Sequence, residues 1–351
     1  MLTRQAYGTQ LLELLIGGAS LVACGCREPK PAPSENVGRG VTSDSELFVF
    51  VEARPVERLR AFAEGPTWIP GRGLLFTDIP NAQMLIKGDA PGSLEVFAEP
   101  SRGAAGTSLD NQGALVVCEG NERGAGGRAV VRWSLDPAAR SVIVERYEGK
   151  RFNSPNDLTI DDQGRIYFSD PHYFDDPDGE LLELDVEAVY RVNADGSELL
   201  RVLGDGQVQR PNGVELSPDA RTLYVTDTMI GGPALLYAFA LDEQGLPTGE
   251  RETVYDFGTG RGGDGMCTDA RGNLYVTASA HRPPTAERDS PAGLYVFSPA
   301  HALLEAYPIA DQVLTNCTFG GEANTTIYVT GAQFVWTVEA RHPGFTRGSE
   351  R

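Results

Sequence analysis

Apolar residues along this chain come in short bursts, not in long stripes. Runs of four or five, rich in Val, Leu, Ile, Tyr and Phe, alternate with turns built from Asp, Gly, Pro and Asn. No stretch sustains the 3.6-residue apolar period of a capped amphipathic helix. The bursts also recur. A short apolar strand, a turn with Asp or Pro and Gly, and a second strand of aromatic and β-branched residues form a unit that appears six times. The second strands read Leu74-Leu75-Phe76-Thr77-Asp78, Leu115-Val116-Val117-Cys118-Glu119, Ile166-Tyr167-Phe168-Ser169-Asp170, Leu223-Tyr224-Val225-Thr226-Asp227, Leu274-Tyr275-Val276-Thr277-Ala278 and Ile327-Tyr328-Val329-Thr330-Gly331. Their central residues, Phe76, Val117, Phe168, Val225, Val276 and Val329, are spaced by 41, 51, 57, 51 and 53 positions. Units of that size close radially, so the pattern predicts an all-β fold: a six-bladed β-propeller of four-stranded blades, one domain spanning residues 46–345. The apolar run Leu47-Phe48-Val49-Phe50-Val51 is expected to close the ring beside Phe334-Val335-Trp336-Thr337-Val338. A sandwich or a solenoid would not account for six similar units.

Composition supports the pattern and narrows the function. The 351 residues include 41 Gly and 23 Pro, as a turn-rich fold requires, and 41% are hydrophobic, ample for a core. Against 30 Lys and Arg stand 49 Asp and Glu, a formal charge of −19. Such a surface repels phosphate backbones and attracts cations, so nucleic acid is excluded as the expected partner. Five cysteines are too few for a disulfide scaffold at this length.

Residues 1–26 differ from the rest. Arg4 precedes a mostly apolar run from Leu11 to Ala23, the length of a signal-peptide core and too short to span a bilayer. Leu21-Val22-Ala23-Cys24 resembles the bacterial lipobox, which makes Cys24 the expected lipid anchor. Gly25 after it, in place of Asp, points to the outer membrane. Residues 27–45, rich in Pro, Ser, Gly and charge, read as a flexible tether. The expectation is an exported, periplasm-facing lipoprotein, with a soluble periplasmic or cytoplasmic protein as the alternative. No obligate protein partner is implied.

Candidate chemistry comes from the residue that begins each unit. Twelve positions before the central residue stand Glu64, Ala105, Asn156 and Asp264; thirteen before it, in the fourth and sixth units, stand Asn212 and Asn316. Five of these six carry a side-chain oxygen. In a propeller, equivalent positions on the innermost strands converge at one mouth of the central tunnel. Glu64, Asn156, Asn212 and Asp264 together offer hard oxygen donors and two negative charges, the set that a hard divalent cation takes. The bland reading is that Asn and Asp here satisfy turn backbone through Asx-type bonds.

Glu64-Gly65-Pro66-Thr67-Trp68, Arg151-Phe152-Asn153-Ser154-Pro155-Asn156-Asp157-Leu158, Asp170-Pro171, Pro211-Asn212-Gly213-Val214, Gly263-Asp264-Gly265-Met266 and Asn316-Cys317-Thr318-Phe319-Gly320-Gly321 follow one another along the chain. In that order they resemble the gluconolactonase/regucalcin-like (SGL) family of six-bladed propeller lactonases, and most closely its bacterial gluconolactonases. The resemblance implies that Glu64, Asn212 and Asp264 bind a catalytic divalent metal. Calcium is its first candidate, with zinc, magnesium and manganese as alternatives. Asn156 is implied as a further ligand or as a substrate contact, and Asn316 is a second candidate substrate contact. Ala105-Gly106 departs from the Asn-Gly of many relatives, which removes one contact with substrate.

The expected activity is hydrolysis of a small, sugar-type lactone, with a polarised carbonyl and an activated water. Gly-x-Ser-x-Gly is absent, so no serine nucleophile is signalled. Asp264 is the first candidate for the general base and Asp157 the second. His172, in Asp170-Pro171-His172-Tyr173, is a candidate proton donor or substrate contact, against the commoner solvated loop histidine. The acidic stretch Asp175–Glu180 reads as a lid or a solvated loop. Organophosphate or ester hydrolysis on the same metal, or a non-catalytic propeller that binds calcium or sugar, are the alternatives. Gly258-Thr259-Gly260-Arg261-Gly262-Gly263 matches a dinucleotide-binding pattern only literally, with no helix after it. Cys118, Cys267 and Cys317 fall in or beside strands as small buried residues, and an exported protein could pair Cys267 with Cys317.

Overall fold

The computed structural model describes residues 45–347 apart from 50–53, 59–61, 91, 122–125, 137, 173–181, 229–232, 260, 280–290 and 333. The leader, Cys24, the tether up to residue 44, the acidic stretch 175–180 and the end of the apolar run at 50–51 lie outside the described residues. The described chain is built from strands and turns without a helix.

Strand β1 is Arg54–Arg58. Blade 1 comprises β2 (Ala63–Ile69), β3 (Gly73–Asp78), β4 (Gln83–Lys87) and β5 (Leu94–Ala98). Blade 2 comprises β6 (Ala104–Leu109), β7 (Leu115–Glu119), β8 (Ala129–Leu135) and β9 (Ala138–Val144). A small hairpin, β10 (Arg146–Tyr147) with β11 (Lys150–Arg151), occupies the connection to blade 3. Blade 3 has β12 (Leu158–Ile160), β13 (Ile166–Asp170), β14 (Ala188–Val192) and β15 (Leu200–Leu203). Blade 4 has β16 (Pro211–Leu216), β17 (Thr222–Thr228), β18 (Pro233–Leu241) and β19 (Pro247–Thr259). Blade 5 has β20 (Gly262–Thr268), β21 (Leu274–Ser279), β22 (Gly293–Phe297) and β23 (Leu303–Pro308). Blade 6 has β24 (Leu314–Gly320), β25 (Thr326–Gly331) and β26 (Phe334–Glu339), with β1 as its outermost strand. Each six-fold repeat is therefore a four-stranded antiparallel sheet, and the innermost strands β2, β6, β12, β16, β20 and β24 touch in a closed ring.

The ring is closed by an N-terminal strand, but not by the one the hydrophobic pattern picks out. Arg54–Arg58, sequence Arg-Pro-Val-Glu-Arg, pairs antiparallel with β26, with Arg54 opposite Thr337 and Arg58 opposite Phe334. The outermost position of a blade is a solvent-facing edge, where charge and Pro block further pairing. The apolar run serves the interior instead. Phe48 is buried, bridges to Ala340, and packs its ring 4.7 Å from that of Tyr307. Ser45, placed with the tether by composition, is already docked: its hydroxyl donates to Glu305 and accepts from the backbone of Leu47 and Phe48.

The hydrophobic core is distributed between blades. Each of its six clusters draws on two neighbouring sheets, the largest joining blades 5 and 6 and the smallest joining blades 6 and 1. This explains the repeat: a blade is apolar on both faces because both are covered. One polar device recurs beside the tunnel. In four blades the residue after the central apolar residue donates its hydroxyl to the next blade's inner strand. Thr77 bonds the Ala105 carbonyl, Ser169 that of Asn212, Thr226 that of Asp264 and Thr277 that of Thr315. Thr315 in turn bonds the Ala63 carbonyl across the closure. Cys118 takes the same place in blade 2, its thiol 3.7 Å from the Asp157 carbonyl.

Candidate functional site

Five of the six inner strands start with an irregularity that widens their pairing with the second strand. Bulges fall between Glu64 and Thr67, Ala104 and Thr107, Pro211 and Val214, Gly263 and Met266, and Leu314 and Asn316. A bulge bends the strand and redirects its side chains, here at the rim of the tunnel. Registering the six blades on these pairs gives two successive layers. The upper layer is Glu64, Ala105, Asn156, Asn212, Asp264 and Thr315. The layer beneath is Gly65, Gly106, Asp157, Gly213, Gly265 and Asn316.

This register moves one predicted residue. Thr315, not Asn316, is level with Glu64 and Asp264, because the first strand of blade 6 enters its bulge one residue earlier than a count from Val329 suggests. Asn316 lies one layer deeper. Its Nδ2 donates to Asp157 Oδ1 at 3.3 Å, and its Oδ1 accepts the Cys317 amide at 2.7 Å. Blades 3 and 6 face each other across the ring, so the Asp157–Asn316 contact spans the tunnel. Asp157 Oδ2 accepts the Val214 amide of blade 4 at 3.1 Å.

The other four members of the lower layer are glycines because the next blade occupies the space, with backbone at Gly65, Gly106 and Gly213 and with the Asn316 side chain at Gly265. A Cβ on Gly65, whose φ is +48°, would stand 2.0 Å from the Ala105 carbonyl oxygen. One on Gly213 would stand 2.2 Å from the carbonyl oxygen of Asp264. The close approach brings the upper-layer strands together.

In the upper layer Glu64, Asn212 and Asp264 are buried, contributed by blades 1, 4 and 5. Burial, then the negative charge of Asp264, pushes the Glu64 carboxyl well above the usual range, with Arg261 opposing. Burial also raises Asp264, while Arg261 and a hydrogen bond from the Asn212 side chain pull it down. Arg261 Nη2 lies 2.8 Å from Asp264 Oδ2 and its guanidinium stands over the Phe62 ring. Asn156 is half-buried, its amide N–H bonded to Ser169 and its carbonyl to Gly106. Its connection is held from behind: Asp170 accepts the amides of Asn153 and Ser154 at 2.9 and 2.7 Å. Asp227 does the same for Gln209 and Arg210 ahead of Asn212.

The structure thus brings Glu64, Asn212 and Asp264 into one electrostatic group, sets Asn156 in the same layer, and puts Asp157 and Asn316 directly below. Asp157 belongs to the group by field: its charge raises Glu64, and Asp264 raises it in turn. Burial is the main cause that lifts the Asp157 carboxyl to about 7. His172 follows β13 by two residues, and its amide donates to Glu187, which also pairs with Arg210 at the border of blades 3 and 4. Among the described residues no group of three or more His, Cys, Asp or Glu side chains is arranged around a metal position; the predicted donors include only two carboxylates.

Two members escaped the sequence reading. Arg261, three residues before Asp264, lies in the connection between blades 4 and 5, outside the strands whose repeat the reading followed. Thr315 was hidden by the bulge. A cavity of about 950 Å³ lies on the far side of the Asp157–Asn316 contact, lined by Thr107, Thr159, Glu215, Cys267, Cys317 and Arg347 among others. Glu64, Asn156, Asn212 and Asp264 do not line it.

Residues 62–333 match the SMP-30/gluconolactonase/LRE-like region. The chain is 32% identical over 309 residues to a gluconolactonase of Zymomonas mobilis, covering 80% of this chain and 79% of that one. Its structure is similar to that of a gluconolactonase from Xanthomonas campestris, with a TM-score of 0.69 at 28% identity, covering 88% and 99% of the two chains. A calcium-binding regucalcin from Agrobacterium tumefaciens shares the fold with a TM-score of 0.64 at 17% identity, covering 88% and 97%.

Proposed function

The chain belongs to the SMP-30/gluconolactonase/LRE-like family, and from that premise we propose that it opens the ring of a small sugar-type lactone by water attack at the upper mouth of the tunnel. The observation that carries this reading is the convergence of Glu64, Asn212 and Asp264 from three blades. The lactonase names of its relatives supply the substrate class.

The donor set fits a hard divalent cation. Among the described residues, two buried carboxylates, Glu64 and Asp264, have the Arg261 guanidinium as countercharge, and both hold their protons more tightly than carboxyls in water. A cation between them would relieve that cost. Glu64, Asn212 and Asp264 would hold it, with Asn156 as a further ligand or a contact with the sugar. Bound there, such an ion supplies Lewis acidity, which polarises a carbonyl and acidifies a water.

The protein's own groups do the rest. Arg261 opposes the rise in proton affinity that burial imposes on Asp264, and Asp264 in its ionised form takes the proton of the attacking water. The water oxygen bonds to the carbonyl carbon, the ring C–O bond breaks, and the ring oxygen takes a proton to become a hydroxyl. Asp157 and Asn316 close the floor of the site and keep the upper layer from opening into the cavity below. Asn156, half-exposed at the rim, orients the sugar hydroxyls.

Purified full-length protein should hydrolyse gluconolactone, lose that activity in EDTA and recover it with one added divalent ion. Hydrolysis unchanged by the chelator would remove the metal from the account. No turnover of any lactone by the metal-loaded protein would leave a binding propeller instead.

A further inference from the structure

Cys267 on β20 and Cys317 on β24 face each other across the junction of blades 5 and 6. Their Sγ atoms stand 2.8 Å apart, about 0.8 Å beyond a disulfide bond. Neither has a part in the proposed hydrolysis. Both are buried, at 7% and 3% exposure, yet both line the cavity below the Asp157–Asn316 contact. A small solute in that cavity meets both residues. As thiols the pair is hydrogen-bonded: Cys317 also lies 3.6 Å from the Tyr275 carbonyl. Burial above all, then Cys317, raises the Cys267 thiol well above its ordinary range. Cys267 is therefore protonated at neutral pH and slow to react with bulky thiol reagents. The third described cysteine, Cys118, is on β7 in the opposite half of the ring, packed in the junction of blades 2 and 3.

We propose that Cys267 and Cys317 are an oxidisable pair that a small hydroperoxide converts to a disulfide, covalently joining the inner strands of blades 5 and 6. One sulfur attacks the peroxide O–O bond, forming a sulfenic acid and releasing water. The second thiol then attacks that sulfur, and the hydroxyl leaves as a second water. Two thiols and one hydrogen peroxide give one disulfide and two waters, the sulfurs oxidised and the peroxide reduced. The cross-link closes a 50-residue loop and ties the strand that carries Asp264 to the blade completed by the N-terminal strand. Such a closure restricts the unfolded chain and so stabilises the ring.

The test is peptide mapping of the full-length protein after hydrogen peroxide and alkylation of the remaining thiols. The expected product is a linked Cys267–Cys317 peptide pair lighter by two hydrogens. It should come with a melting temperature higher by about 5 °C, reversed by dithiothreitol. Cys267→Ala and Cys317→Ala should each abolish the link and the shift, and Cys118→Ala neither. Mapping of the unaltered chain stands alone if an alanine variant fails to fold, with Cys267→Ser as the milder replacement. Cys267 and Cys317 still alkylated after oxidation, or converted to sulfinic acids, or linked to other cysteines, would overturn the proposal.

Discussion

In the upper layer of the tunnel, Glu64, Asn156, Asn212 and Asp264 carry oxygen; in the layer beneath, Gly65, Gly213 and Gly265, the chain neighbours of Glu64, Asn212 and Asp264, carry no side chain at all. One residue of separation divides two physical requirements. The glycines of the lower layer let adjacent blades approach within contact distance, so a Cβ on any of them meets a carbonyl oxygen or a side chain of the next blade. The upper layer must hold negative charge out of water, which costs stability. Burial raises the proton affinity of both Glu64 and Asp264. On the proposed function the glycines of the lower layer serve the fold and the upper layer serves chemistry, and substitutions should separate the two.

The largest effect is expected below. Gly65→Ala adds a Cβ 2.0 Å from the Ala105 carbonyl oxygen at a φ of +48°, and should cost more than about 3 kcal/mol in urea unfolding. Activity would fall only with the folded fraction. A variant that folds as well as the parent would dissolve the distinction between the layers. Above, Asn212→Ala should reverse the pattern: turnover of gluconolactone down by about tenfold or more, with the unfolding midpoint little changed.

A third expectation concerns pH. Burial, the leading cause, raises Asp170 to about 7, against the Asn153 and Ser154 amides that lower it. The folded protein then holds a proton on Asp170 across a range where the unfolded chain has released it. That contribution to stability is present below the ordinary carboxylate value and is lost as pH rises toward 7. Unfolding of the parent and of Asp170→Asn, compared from pH 4 to pH 8, should show the parent losing stability relative to the variant across that interval. A constant difference would refute it. The smallest effect is expected in the ring of hydroxyls between blades. Thr226→Val removes the bond to the Asp264 carbonyl and the one accepted from the Gly213 amide and should cost about 2 kcal/mol, read by urea unfolding; no loss would mean that these bonds do not hold the blades together.

Much of this was legible in the residues. Blade count, the identity of the second strands and the positions of Glu64, Asn156, Asn212 and Asp264 followed from a repeat, because each blade must cover both faces and begin its inner strand at the same place. The hydroxyl after the central residue in four blades, Thr77, Ser169, Thr226 and Thr277, was equally visible but shows its partner only when blades are side by side. What escaped has local causes. Periodicity cannot see a bulge, so Thr315 and Asn316 exchanged layers. The closing strand was missed because hydrophobicity ranks Leu47–Val51 above Arg54–Arg58, whereas an outer edge favours the polar segment. The Asp157–Asn316 contact joins opposite blades 159 residues apart, and no pattern along the chain marks it.

The central claim is that the upper layer performs chemistry the fold does not need, and Asp264→Ala tests it most directly. Turnover of gluconolactone and thermal unfolding should be measured on the same preparation. The account predicts a loss of more than about a hundredfold in kcat, with cooperative unfolding near the parent's melting temperature. Near-normal turnover in a folded Asp264→Ala protein would contradict it.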